Sequence, residues 1–119
     1  NKKNLDALIG EVVNNIGSLN TDITASNFSK ARNMTNFNNK DIASSISNMV
    51  GEVIGTVAYL NALLIGVSVV YFIGRVSKMR TVKNGIEKRL NLAGISGNYI
   101  EKQEFANVIG AIAYLNANT

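Results

Sequence analysis

The chain has 119 residues, a net charge of +4, and no Pro, Cys, His or Trp. Without Cys there is no disulfide framework, thiol nucleophile or thiolate metal site, and without His the commonest metal ligand and neutral-pH base are missing. The composition therefore argues against an enzyme, leaves carboxylates, Lys, Arg, hydroxyls and amides as the groups for any chemistry, with no catalytic residue and no metal site assigned, and fits one domain. Charged residues make up 17%, against about 25% in an ordinary soluble domain.

In chain order, residues 4–20 read as an amphipathic helix, with Leu5, Leu8, Ile9, Val12, Val13, Ile16 and Leu19 on one 3.6-period stripe. Residues 20–39 are rich in Asn, Ser and Thr and read as a loop with one short helix over 26–34. A second helix is expected from Asn39, capped by Asn39 or Asp41. Ile42, Ile46, Met49, Val50 and Val53 share its apolar face. No charge occurs between Glu52 and Arg75. As a helix that run is about 33 Å long, enough to cross a bilayer core of about 30 Å. Missing Pro leaves nothing to break it, and the helix is expected to continue to Leu92. Residues 93–97, with Gly94 and Gly97, supply a turn. A last helix over 98–119 starts on a capping-box-like Asn98/Glu101 pair and lies antiparallel to the long one. Glu101 and Glu104, one turn apart, suit a helix N-terminus.

The expected fold class is all-α: an amphipathic N-terminal helix with its loop (1–38), one long apolar helix with a basic end (39–92), a turn (93–97) and an antiparallel C-terminal helix (98–119), forming a helical hairpin in a single domain. Small residues line the packing faces at Gly51, Gly55, Ala58, Ala62, Gly66 and Gly74, and again at Gly110 and Ala113; such ridges let helices approach closely. Residues 53–62 (VIGTVAYLNA) and 108–117 (VIGAIAYLNA) agree at eight of ten positions. The repeat sets Tyr59 and Asn61 beside Tyr114 and Asn116 as paired polar and aromatic positions. The excess charge is one block, Arg75, Lys78, Arg80, Lys83, Lys88 and Arg89, which reads as a surface facing lipid headgroups or another polyanion. No aromatic residue lies between Lys78 and Arg89, so any nucleic-acid contact there is to phosphate.

An amphipathic first helix followed by Val53–Gly74, Arg75–Arg89 and Phe105–Leu115 resembles the conjugative and type IV secretion pilins. The stretch 57–80 is also similar to small membrane proteins of type IVB (Dot/Icm and IncI-type conjugation) systems. The resemblance implies a structural subunit that is held in the inner membrane after signal-peptide removal, which a start at Asn1 fits, and is then assembled into an extracellular helical filament. Its implied partners are further copies of itself, membrane phospholipid, and DNA or protein cargo in a lumen lined by the basic turn. It implies no catalytic cofactor and allows a bound phospholipid. The alternatives are a membrane-active pore-forming toxin or bacteriocin, an integral-membrane component that does not polymerise, and a helical nucleic-acid-coating capsid subunit.

Overall fold

A computed structural model describes residues 2–13, 20–36 and 38–119. The N-terminal part comprises two single-turn helices, α1 (Lys2–Leu5) and α2 (Ile9–Val12), around the strand β1 (Ala7–Leu8). β1 pairs antiparallel with β2 (Thr24–Ser26), placing Ala7 opposite Ser26 and Leu8 opposite Thr24. The expected helix over 4–20 is therefore interrupted. Its break falls at Asp6, whose fully buried carboxylate accepts the Phe28 N–H at 3.0 Å and the Ser45 hydroxyl, contacts that an uninterrupted exposed helix face would not make. Leu5 and Leu8 are buried, Val12 and Val13 are exposed, and Ile16 and Leu19 lie outside the described residues. The short helix expected over 26–34 is a 3-10 turn, Ser29–Asn33.

The long helix α3 runs from Asn39 to Ile65 and is capped by Asn38, whose side chain accepts the Asp41 N–H at 2.8 Å. It does not continue to Leu92. Gly66 adopts a left-handed φ of +80° and ends it, with the Gly66 and Val67 N–H groups both donating to the Ala62 carbonyl. The β-branched and aromatic residues that follow, Val69–Phe72, form β3. After a 3-10 turn (Val76–Lys78) comes α4 (Arg80–Leu92), then a turn through Gly94 at φ +64°, then β4 (Ser96–Tyr99). β4 pairs parallel with β3, from Val69 opposite Ser96 to Phe72 opposite Tyr99. The Asn98 end of the expected capping box thus lies in a strand. Only after a further 3-10 turn (Gln103–Phe105) does α5 (Ala106–Ala117) begin.

The fold is therefore not an all-α hairpin: among the described residues it carries two small sheets, and its C-terminal half is a strand–helix–strand crossover followed by a helix. A short apolar run does not by itself distinguish strand from buried helix. Here the glycine at 66 and four consecutive β-formers decide for a strand. The core lies between α3, α4 and the β3–β4 sheet and consists of Ala62, Phe72, Val82, Ile86, Leu90 and Ile95.

α3 packs on α4 at backbone contact. A Cβ on Gly55 would sit 2.8 Å from the Ile86 carbonyl, one on Gly85 would sit 2.8 Å from the Asn48 carbonyl, and one on Gly51 would collide with the Val82 carbonyl. The helix face so enclosed is small and polar: Asp41, Ser45, Asn48 and Glu52 are buried with the two glycines. The apolar stripe of α3 points the other way, into solvent. By length and composition α3 is also the one helix, among the described residues, that could cross a membrane.

Candidate anion cleft at the strand ends

In sheets with parallel strands, ligands bind in the crevice beyond the carboxyl ends of the strands. The carboxyl ends of β3 and β4 open on such a crevice. It is about 320 Å³ in volume and is lined by Ser77 and Lys78 after β3, Lys83 in the first turn of α4, and Tyr99 through Glu104 at the end of β4. Each wall has a local cause. Gly74, at φ +95°, reverses the chain after β3 and donates its N–H to the Gln103 carbonyl at 2.7 Å, tying the two loops together. The buried Ser77 hydroxyl donates toward the Gly74 carbonyl at 3.1 Å and accepts from Gln103 Nε2 at 3.3 Å. Tyr99 stacks on Phe72 with centroids 5.1 Å apart, and the Lys83 ammonium sits 4.2 Å over the Tyr99 ring.

Several features favour an anion. Lys78, Lys83 and Lys102 all line the cleft. Met79, the N-cap of α4, contributes no side-chain hydrogen bond, so the first N–H groups of this thirteen-residue helix are not capped from there. Against these, the buried Gln103 Oε1, which has no hydrogen-bond partner among the described residues, is an acceptor and suits a donor rather than an anion. Glu101 and Glu104 line the same cleft and balance two of these three positive charges. The Lys78 ammonium bonded to Glu104 holds that carboxyl below the ordinary carboxylate value, with a smaller contribution from Arg75. Burial, and then the nearby Glu87 carboxylate, push the Tyr99 phenol above its ordinary value.

The basic block expected to form one surface is divided. Lys78 pairs with Glu104, Lys88 with Asp22, and Arg89 with the buried Glu52 at 2.9 Å, while Lys83 lies on Tyr99. Arg75 and Arg80 are exposed. The small residues also separate by role. Gly51, Gly55 and Ala62 face the core or α4, Ala58 is half-buried, Gly66 and Gly74 serve as left-handed turns, and Gly110 and Ala113 are exposed on α5. Tyr59 packs against the core, Asn61 donates to the Val57 carbonyl at 2.8 Å, and Tyr114 and Asn116 are exposed.

Sequence reasoning missed Ser77, Tyr99 and Gln103. The available signal was the Val69–Phe72 run followed by Gly74, a strand and its turn. Beneath α3 lies a second polar cluster that periodicity did not show. Asn48 Nδ2 donates to Glu52 Oε1 at 2.9 Å and toward Thr24 Oγ1 at 3.4 Å, beside the Glu52–Arg89 pair.

No protein-family model matches the chain. A stretch of 55 residues, 44% of the chain, is 40% identical to type II pantothenate kinases of Bacillus cereus (strain AH820) and Bacillus thuringiensis subsp. konkukian (strain 97-27). The match covers 20% of the length of each of these kinases.

Proposed function

We propose that this chain is part of a phosphoryl-transfer protein related to the type II pantothenate kinases, and that its strand-end cleft holds a phosphate group of the ligand. The observation that carries this reading is the parallel β3–α4–β4 unit with a lysine-lined crevice at its carboxyl end. The partial match to pantothenate kinases supports it independently of the geometry. The reading runs against the composition-based expectation of a non-enzyme, because a phosphate cleft needs lysines and backbone N–H groups and neither His nor Cys. Within it, Lys78 and Lys83 supply charge and the start of α4 supplies N–H donors.

Binding is the readout, since the match covers only one-fifth of those kinases. Titration of inorganic phosphate and of Mg-ATP into the chain is expected to show binding that Lys78→Ala or Lys83→Ala each weakens about tenfold, the worth of one charge-assisted hydrogen bond. Binding indifferent to both substitutions, or none at millimolar ligand, overturns the cleft assignment.

A second reading, a pilin-like subunit moving from an inner-membrane pool to an extracellular filament, is favoured by the length and apolar composition of α3. It has lost the continuous hairpin it was built on, since the chain forms a strand where the span was expected to continue. Electron microscopy of the purified chain decides it: filaments favour the pilin, and dispersed particles dispose of it.

A further inference from the structure

We infer that the outer face of α3 is a self-association surface that a second copy of this chain covers by two-fold pairing. Ile46, Met49, Val53, Val57, Leu60 and Leu64 are each between 36% and 85% exposed, although they form one continuous apolar stripe. Their spacings of three and four residues are those of the seam between paired helices. The opposite face of α3 is already occupied by α4 through Gly51 and Gly55, so no rearrangement of that contact can bury the stripe.

The occupant follows from chemistry and area. No charged residue lies in the stripe, so nothing in it selects a partner of opposite charge, whereas two-fold pairing lets one surface cover itself. The six side chains expose on the order of 600 Å² per copy, close to the roughly 800 Å² a side of a standard stable interface. A groove of about 260 Å³ runs alongside and is lined by Met49, Val53 and Val57 together with Asn27, Glu52 and Arg89. It gives the seam a hollow for side chains of the other copy, with the polar Asn27 and Arg89 at its edge, the anatomy of a protein interface. A lipid occupant would have to cover the partly exposed Arg89 guanidinium at that edge, whose partner Glu52 is already buried. This inference is independent of the kinase reading.

Sedimentation velocity of the 119-residue chain is expected to give a dimer at tens of micromolar. Val53→Glu and Val57→Glu are expected to give a monomer with unchanged helical circular dichroism, while Ile112→Glu on the exposed α5 leaves the dimer intact. Should the glutamate variants lose their helical signal, single-cysteine cross-linking replaces them, since the chain has no native Cys. Val57→Cys then joins two copies with a short bis-maleimide and Ile112→Cys does not. A monomeric wild type, loss of the dimer only on Ile112→Glu, cross-linking at 112 in place of 57, or uptake of monomers by phosphatidylglycerol vesicles through the stripe would each overturn the inference.

Discussion

The repeated ten residues occur in two helices that share a sequence and not a surrounding. In α3, Gly55 meets the backbone of α4, Ala62 is buried and Tyr59 packs on the core. In α5, nothing among the described residues lies within 4 Å of a Cβ on Gly110, and every residue from 107 to 117 is exposed. Helix formation is common to both copies because it depends on local propensity and the absence of Pro. Burial belongs to one copy only, because α4 returns to α3 along the face that carries Gly51 and Gly55.

The sharpest way to break this comparison is to add one methyl group to each helix. Gly51→Ala forces a carbon into the Val82 carbonyl and is expected to cost about 3 kcal/mol, the upper range for overpacking a closed contact. Arg89→Ala leaves the buried Glu52 without its guanidinium and is expected to cost about 2 kcal/mol. Gly110→Ala on α5 is expected to stabilise by about 0.5–1 kcal/mol, because an exposed helix position gains propensity and meets no neighbour. Urea midpoints read all three. A Gly110→Ala loss as large as that of Gly51→Ala would mean that α5 is packed after all.

The smallest expected effect concerns pH. The phenol of Tyr99 is raised in the folded state, so the fold holds its proton more tightly than the unfolded chain does. Its contribution is complete below the ordinary value of 10.0 and is lost as pH rises above it. Tyr99→Phe is expected to flatten that part of the alkaline decline in the urea midpoint. An unchanged slope would place the Tyr99 hydroxyl in solvent.

Much of the helical content was legible from the residues. A helix from about Asn39, a turn at Gly94 and a C-terminal helix follow from composition and glycine, although the cap is Asn38 and not Asn39 or Asp41, and the last helix starts at Ala106 and not at 98. The end of α3 was not legible, because residues 66–74 are as apolar as the helix before them and differ mainly in β-branching. The inner face of α3 was also hidden. Periodicity sets Ile46, Met49 and Val53 on one apolar face, yet Asp41, Ser45, Asn48 and Glu52 are the residues enclosed. Polar side chains are buried there because Asp6, Thr24 and Arg89 reach them from distant positions as hydrogen-bond and ion-pair partners. The cleft was half legible. Lys78 and Lys83 stood out as part of a basic block, while Tyr99, Lys102 and Gln103 join them only through the parallel pairing of β3 with β4.

The sequence alone determined the absence of thiol and imidazole chemistry, a helix beginning near Asn39 and a helical C-terminal segment, and the confinement of excess charge to Arg75–Arg89. These depend on composition and on contacts within a turn or two. The tertiary structure decided which face of α3 is inside, how the basic block divides among Glu104, Asp22 and Glu52, and where a cleft opens. Those outcomes depend on partners 26 to 66 residues away in the chain, and pairings at that range have no local signature for periodicity to read.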